Sequence, residues 1–114
     1  MKDCIFCKII NKEIPASIVY EDEEIVAFND INPKAPIHIL LIPKQHFASL
    51  NDIPIEKKQI LSELLFRARL LAEEKGIADS GYRLVLNNGK DSGQEVGHLH
   101  LHLLGGRRMG WPPG

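Results

Sequence analysis

The apolar residues of this chain form two stripes at helical spacing and several shorter patterns typical of β-strands. Residues 4–12 carry an apolar stripe at helical spacing that ends before Pro15, which predicts a short N-terminal helix. A longer stripe lies between Asp52–Pro54 and Gly76 and predicts one long helix with these limits. Its members are Ile60, Leu61, Leu64, Leu65, Ala68, Leu71 and Ala72.

Five shorter segments have the alternating or continuous apolar pattern of β-strands. They are residues 17–20, 24–29, 37–42, 82–87 and 98–104. The acidic turn at residues 21–23 predicts a hairpin between the first two. Many strands with one long helix favour an α+β fold with a mostly antiparallel sheet. Since no linker divides the chain, residues 1–114 are expected to form a single domain.

The last of these segments reads His-Leu-His-Leu-His-Leu-Leu. Alternate residues of a strand share a face, so we expect His98, His100 and His102 on one face and the leucines packed against the helix. Three imidazoles side by side repel when protonated and need hydrogen-bond partners when neutral, which disfavours a purely structural role. Two kinds of chemistry remain: ligation of a metal such as Zn²⁺, or a nucleophilic histidine that its neighbours orient.

The loop before the histidine segment favours phosphate chemistry. Residues 89–94 read Gly-Lys-Asp-Ser-Gly-Gln, and such a loop offers backbone N–H groups to phosphate oxygens. Gly105 and Gly106 follow the segment and permit close approach of the backbone. Imidazole is largely neutral at pH 7 and is a good nucleophile. A nucleophile is therefore favoured over a closed metal site, although ordinary turns also contain glycine.

Composition and charge exclude several classes of protein. The 114 residues include 14 Lys and Arg against 15 Asp and Glu, for a formal net charge of −1. With no strong basic field, we expect no binding to long nucleic acid or to an anionic membrane. No apolar run is long enough to span a bilayer, and no secretory signal is visible. We interpret the sequence as that of a cytoplasmic protein.

The pattern His-φ-His-φ-His-φ-φ, where φ is apolar, resembles the signature of the histidine triad (HIT) family of nucleotide hydrolases and transferases. Further segments resemble its Hint-like branch, the purine nucleoside phosphoramidases. They are residues 9–10, 14–16, 28–31, 35–38, 42–46, 105–107 and 111–114. The resemblance covers nearly the whole chain. It implies a HIT-like fold with a five-stranded, mostly antiparallel sheet, one long helix and a short N-terminal helix, and a homodimer that continues the sheet.

The resemblance also implies a role for each histidine. His100 resembles the nucleophile that attacks the α-phosphorus and forms a nucleotidyl-histidine intermediate, which water then hydrolyses. His102 resembles the partner that orients and polarises His100, and His38 resembles a further member of that relay. His98 resembles the first triad histidine, beside the phosphate and leaving group. The implied substrates are purine nucleoside 5′-phosphoramidates and aminoacyl adenylates, and the implied catalysis needs no cofactor.

A nucleotide pocket for purine nucleoside monophosphate derivatives is implied as well. Asp30 resembles the carboxylate that binds the ribose hydroxyls, although in residues 29–33 it fits a turn equally well. The other implied contacts are Phe28, Asn29, Ile31, Asn87, Gly93, Gln94, Glu95, His100 and His102. Glu95 and Gly97 depart from residues common in the family, which leaves the preference for a leaving group open.

The only two cysteines of the chain, Cys4 and Cys7, form a C-x-x-C pair. A four-coordinate zinc site needs two further nitrogen or sulfur donors. His46 has no other evident role, and His98 is the triad member left, because related transferases bind zinc at the equivalent position. We therefore expect a structural Zn²⁺ on Cys4, Cys7, His46 and His98. The alternatives are two buried reduced thiols or a redox dithiol.

Three other functions stay open. A dinucleoside polyphosphate hydrolase of the sister branch usually has Gln in place of Asn87 and lacks the closing Trp-Pro-Pro-Gly. A non-catalytic nucleotide-binding regulatory protein would leave the intact His100 unexplained. A zinc-only structural protein would leave Asp30 and His38 unexplained.

The tail at residues 111–114 combines Trp111 with two prolines and a glycine. Such an apolar ending usually lies against protein rather than in water. With the implied homodimer, we expect the tail to reach the partner subunit's active site. Arg107 and Arg108 would then face the leaving group.

Overall fold

A computed structural model, which describes residues 3–114, contains the predicted elements in the predicted order. Its two α-helices are α1 (Ile5–Ile10) and α2 (Gln59–Glu74). Its five strands are β1 (Ile18–Glu21), β2 (Ile25–Asn29), β3 (Ile37–Pro43), β4 (Tyr82–Val85) and β5 (Leu101–Gly105). The α+β class is therefore confirmed.

The five strands form one sheet in the order β1-β2-β3-β5-β4, with every neighbouring pair antiparallel. The register of β3 and β5 sets Leu40 opposite His102 and His38 opposite Leu104. Since residues two apart on a strand share a face, His38 lies on the same face as His102 and diagonal to it. This register brings histidines from distant parts of the chain together.

Helix α2 covers one face of the sheet. Its buried residues Leu64, Ala68, Leu71 and Ala72 belong to one apolar core, as do all three alternating leucines. These leucines, Leu99, Leu101 and Leu103, are at most 2% exposed. The predicted packing of the leucine face against the helix is confirmed. Burial of each such side chain contributes about 1.5–3 kcal/mol.

The short helix α1 covers part of the opposite face. Phe6 and Ile9 pack there on a second apolar cluster of the sheet. Its other buried members are Val26, Phe28, Leu40 and Ile42. Because α1 is only six residues long, the rest of this face stays uncovered, and His38, His100 and His102 border that part.

Two boundaries differ from the predictions by three residues or more, and the others differ by at most two. The long helix begins at Gln59 instead of at residues 52–54, and two 3-10 turns, Leu50–Asp52 and Ile55–Lys57, precede it. Pro54 has an extended backbone, and a proline disfavours helical geometry in the residue before it. The last strand begins at Leu101 instead of at residue 98, because the backbone N–H of Leu99 donates to the Phe47 carbonyl, 2.7 Å away, outside the sheet.

The two glycines after β5 have packing roles. A side chain at Gly105 would collide with Ile77. Gly106 has a φ of +90° and lies against Pro36. The close approach that these glycines permit is thus to the protein's own side chains.

The C-terminal tail is held to its own chain at one point. The guanidinium of Arg83 donates to the Gly110 carbonyl at 2.8 Å. Beyond it, the Trp111 side chain is 83% exposed. Among residues 3–114, neither helix combines the length and the apolar character that crossing a membrane requires.

Candidate active site and metal centre

A cleft of about 450 Å³ lies on the uncovered face of the sheet, beside α1. The loops that follow β2 and β4 form its rims. Ten residues predicted from the sequence line it: Phe28, Asn29, Asp30, Ile31, His38, Asn87, Gly93, Glu95, His100 and His102. The fold thus brings most of the predicted nucleotide site into one cavity.

His38 and His102 form a directed pair of hydrogen bonds. The backbone N–H of Lys34 donates to Nδ1 of His38 at 3.1 Å, so this nitrogen accepts and Nε2 carries the proton. Nε2 of His38 lies 2.9 Å from Nδ1 of His102, to which it donates. The proton of neutral His102 must then be on Nε2, which makes that atom a hydrogen-bond donor.

The main chain sets the tautomer of His100. Its Nδ1 lies 2.8 Å from the carbonyl oxygen of His98. A carbonyl can only accept, so Nδ1 carries the proton and Nε2 keeps its lone pair. The His100 ring lines the cleft, and its centroid is 5.0 Å from that of His102. His100 therefore offers an unprotonated ring nitrogen, which a nucleophile requires.

Burial keeps the relay neutral. Desolvation, followed by the neighbouring His100 and His38, lowers the pKa of His102 to about 4. Desolvation also lowers the pKa of His38, against the opposing effect of the Asp30 carboxylate. Both rings are thus uncharged at pH 7, in agreement with the hydrogen-bond pattern. Across residues 3–114, every buried side-chain nitrogen or oxygen atom has a partner.

Asp30 has the turn role considered for it and also lies beside the histidine relay. One carboxylate oxygen accepts the backbone N–H of Asn32 at 2.8 Å, which is a turn contact. The other lies 3.5 Å from Nε2 of His38. The turn therefore holds the carboxylate beside the histidine relay and at the rim of the cleft.

Gln94 is the predicted nucleotide contact that does not line the cleft. Its Oε1 accepts the Gly89 backbone N–H at 2.8 Å. Its Nε2 donates to the carbonyls of Ala48 and Val96 at 2.8 and 3.0 Å. These bonds hold the loop before the histidine segment in its shape.

His98 departs from the other two triad histidines. Its Nε2 donates to the Pro43 carbonyl at 2.8 Å, so Nδ1 has a free lone pair. This Nδ1 lies 3.3 Å from Sγ of Cys4 and 3.6 Å from Sγ of Cys7. Nδ1 of His46 is 3.3 Å from Sγ of Cys7. The side chain predicted beside the phosphate thus faces the cysteines and does not line the cleft.

The four side chains Cys4, Cys7, His46 and His98, here called the cysteine–histidine cluster, fit a metal ion. Their ligand atoms all lie within 4.8 Å of one another. Tetrahedral zinc, with Zn–S of about 2.3 Å and Zn–N of about 2.0–2.1 Å, needs sulfur–nitrogen separations of roughly 3.5 Å. The measured separations of 3.3, 3.3 and 3.6 Å match this. A backbone carbonyl on the far nitrogen of His98 is the usual outer contact of a metal-binding histidine.

Burial keeps the Cys7 side chain in the thiol form. Desolvation, with added hydrogen-bond and charge effects of Cys4, raises the pKa of the Cys7 thiol to about 11. Both cysteines are free of disulfide bonds. Metal binding at this cluster must therefore displace protons.

Several cleft residues escaped the sequence analysis. The missed apolar ones are Ile5, Phe6, Ile9, Ile14, Pro15, Ala16, Leu40 and Val96. The helical stripe of α1 marked Phe6 and Ile9 as inward-facing, yet nothing local indicates that they border a cavity. Lys34 was missed as well, and its functional atom towards His38 is the backbone N–H, which carries no sequence signal.

Comparison with known proteins gives a match to the HIT domain model over residues 11–109. The chain is 49% identical to the purine nucleoside phosphoramidase of Escherichia coli (strain K12), across 96% of this chain and 92% of that protein. It is 49% identical to the 14 kDa zinc-binding protein of Brassica juncea, across 98% of this chain and 100% of the other. The crystal structure of a HIT family hydrolase from Legionella pneumophila Philadelphia 1 has a TM-score of 0.96 and 54% identity, covering 98% of this chain and 100% of that one.

Proposed function

Because the chain belongs to the HIT domain family, we propose that it hydrolyses the P–N bond of purine nucleoside 5′-phosphoramidates, and aminoacyl adenylates as further substrates. The observation that carries the proposal is the state of His100. Its Nδ1 is tied to a backbone carbonyl, and its Nε2 keeps a lone pair at the cleft. A nucleophile fixed in this tautomer is ready to attack without a prior proton transfer.

The cleft has separate surroundings for the parts of a nucleotide. Its apolar wall, which includes Phe28 and Ile9, suits the flat face of a purine. The Asp30 carboxylate at the rim can accept hydrogen bonds from the ribose hydroxyls. The phosphate then lies at His100 and His102, with the leaving group towards Glu95.

The reaction proceeds in two displacements. In the first, Nε2 of His100 forms a bond to the α-phosphorus, and the P–N bond breaks as its electron pair leaves with the amine, which takes a proton. In the second, a water oxygen attacks the phosphorus, the bond to His100 breaks and the water loses a proton. Splitting one difficult substitution in two lowers the barrier of each.

The histidine relay stabilises charge on the transferring phosphoryl group. The Nε2–H of His102 donates to a phosphoryl oxygen, while its Nδ1 accepts the proton of His38. The Asp30 carboxylate, 3.5 Å from His38, polarises this chain of bonds further. The donors are in place before the substrate binds, so little reorganisation is needed during the reaction.

The test compares two substrates on the purified protein. A fluorogenic adenosine phosphoramidate should be turned over with a much larger kcat/KM than a diadenosine polyphosphate, and rapid alkaline quenching should trap a nucleotidyl adduct on His100. Faster cleavage of the polyphosphate would favour the sister-branch hydrolase. Nucleotide binding without turnover of either compound would favour a regulatory protein.

We also propose that the cysteine–histidine cluster holds one structural Zn²⁺, which would pin α1 to the sheet. The support is the agreement of its sulfur–nitrogen separations with tetrahedral zinc. Protein purified without added metal should contain about one equivalent of zinc per chain, and chelation should lower its Tm. A Cys4→Ser, Cys7→Ser double variant serves as control, because chelation should leave its Tm unchanged. Purified protein that contains no metal, and whose Tm does not change when a chelator is added, would contradict the proposal.

A homodimer that continues the sheet across subunits is the third part of the proposal. Supporting features are the edge position of β4 and the exposed apolar side chains Leu65, Phe66 and Trp111. Deletion of residues 111–114 should change the ranking of phosphoramidate leaving groups far more than it lowers the Tm. A monomer in light scattering, or an unchanged ranking of leaving groups in the truncated protein, would contradict the proposed homodimer and the role of its tail.

A further inference from the structure

His98 contacts both the cysteine–histidine cluster and the nucleophile His100. Its side chain lies against Cys4 and Cys7, with nitrogen–sulfur separations of 3.3 and 3.6 Å. Its backbone carbonyl accepts the Nδ1–H of His100 at 2.8 Å. The same residue is therefore held by the cysteine–histidine cluster through its ring and holds the nucleophile through its main chain.

The segment around His98 lies outside the sheet ladder, since β5 begins only at Leu101. One main-chain hydrogen bond, from the Leu99 N–H to the Phe47 carbonyl at 2.7 Å, orients the peptide that carries the His98 carbonyl. The His98 ring is fully buried, with polar contacts to Pro43, Cys4 and Cys7. It also meets the rings of His46 and Phe6 edge to face. Three of these five partners belong to the cysteine–histidine cluster, which therefore supplies most of the contacts of the ring.

Phe6 forms a second connection between the two sites. It lies between the two cysteines in α1 and is buried. Its ring meets the rings of His98 and His100 edge to face, at centroid distances of 5.8 and 5.2 Å. Because Cys4 and Cys7 hold α1 against His98, they also hold the Phe6 ring against the nucleophile.

We propose that Cys4, Cys7 and Phe6 are positioning residues for His100, acting through the His98 carbonyl and the Phe6 ring, so that the integrity of the cysteine–histidine cluster sets the rate of the chemical step. This inference rests on the proposed function. When the cluster is disrupted, the His98 carbonyl shifts away from Nδ1 of His100. The proton of His100 is then free to occupy Nε2, and in that tautomer Nε2 has no lone pair with which to attack phosphorus.

The main test is a pair of single variants, Cys4→Ser and Cys7→Ser. Serine at position 4 can still cap α1, as the Cys4 sulfur does when it accepts the Cys7 N–H, so this variant keeps the local helix. We expect kcat to fall about tenfold to a hundredfold, as for outer-shell partners in other sites, with KM unchanged. Phe6→Leu, which keeps the apolar volume but removes the ring edge, should lower kcat by a smaller factor.

A spectroscopic measurement reports the tautomer without turnover. In ¹⁵N-histidine-labelled protein at pH 8, His100 of the parent should give the signals of a single Nδ1–H tautomer. Each cysteine variant should give signals averaged towards Nε2–H. This reading does not depend on which compound the enzyme hydrolyses, so it stands even if no phosphoramidate is turned over.

Ile10→Ala is the matched control. Ile10 lies on the same helix and packs on the same apolar cluster, but it contacts neither the cysteine–histidine cluster nor the cleft. This variant should lower the Tm and leave kcat, KM and the His100 signals as in the parent.

Two results would overturn the inference. One is a folded cysteine variant with parental kcat and a parental His100 spectrum. The other is an Ile10→Ala variant whose kcat falls as far as that of the cysteine variants, since loosening of α1 alone would then be sufficient. Absence of phosphoramidate turnover in the parent, with the spectral change preserved, would instead contradict the proposed function.

Discussion

The two faces of residues 98–104 show how differently a fold treats apolar and polar alternation. On one face, Leu99, Leu101 and Leu103 all end in a single core under α2. On the other, His98 turns to the cysteines, while His100 and His102 line the cleft. The leucines share one environment, and the histidines have three different sets of partners.

The difference follows from the nature of the two interactions. Burial of apolar surface is non-directional, so any leucine on the inner face is satisfied by the same core. A hydrogen bond depends on which atom faces which, so each imidazole needs a partner at a particular position. A period of two therefore predicts where the leucines go, but for the histidines it predicts only the side of the sheet.

The largest effect is expected on the histidine face. His100→Ala removes the nucleophile, and we expect kcat for a phosphoramidate to fall at least about a thousandfold. The fold and nucleotide binding should persist, because the leucine face and the apolar wall of the cleft are untouched. Steady-state kinetics and nucleotide titration provide the measurement. Activity within about tenfold of the parent would remove His100 from the proposed mechanism.

On the leucine face, the expected effect is on stability. Leu103 is completely buried in the core under α2, so Leu103→Ala should lower the free energy of unfolding by about 2–5 kcal/mol. The kcat per folded molecule should stay close to that of the parent. Urea unfolding measures the free energy of unfolding, and steady-state kinetics at urea concentrations below the unfolding transition measures kcat.

Leu104→Ala is the matched control for this change. Leu104 is the next residue on β5, points to the histidine face and is only half-buried, so its truncation should cost less. Equal losses from Leu103 and Leu104, or a large fall in kcat for Leu103→Ala, would contradict the division of roles between the faces.

Much of the fold was predictable from such periodic patterns. Both helices and all five strands follow from the pattern of apolar residues, and the β1–β2 hairpin follows from the acidic turn between its strands. The start of α2 did not, because Pro54 and two 3-10 turns interrupt a stripe whose apolar spacing continues.

The sequence predicted many of the residues of the site, but it did not predict which atoms of these residues contact one another. The resemblance named ten of the residues that line the cleft, and the search for four zinc donors gave the cysteine–histidine cluster; the structure brings each set together. The backbone contacts of Lys34 and of His98, which decide the tautomers, have no sequence signal. The role of the Gln94 side chain in holding the loop has no sequence signal either. A side chain with a donor and an acceptor in a loop could equally well bind a ligand.

A last prediction concerns the pH dependence of stability, to which His102 on the histidine face should contribute. The pKa of His102 is about 4 in the folded protein, against 6.5 in an unfolded chain. Between these values the unfolded chain binds the additional proton, so the stability from neutral His102 is complete above pH 6.5 and is lost as the pH falls towards 4. The Asp30 carboxylate opposes this shift, while desolvation, His100 and His38 cause it.

The measurement is the Tm of the parent and of two variants at several pH values from 7.5 to about 4.5. In His102→Asn, the side-chain oxygen can take the place of Nδ1 and accept the proton of His38, but the side chain does not titrate. Its Tm should therefore fall less steeply below pH 6.5 than that of the parent. Leu104→Ala, which lies on the same face and leaves every histidine in place, should have the parental slope. If His102→Asn has the parental slope as well, His102 is protonated in the folded protein as easily as in the unfolded chain. The neutral pair of His38 and His102, from which the tautomer of His102 was deduced, would then be wrong.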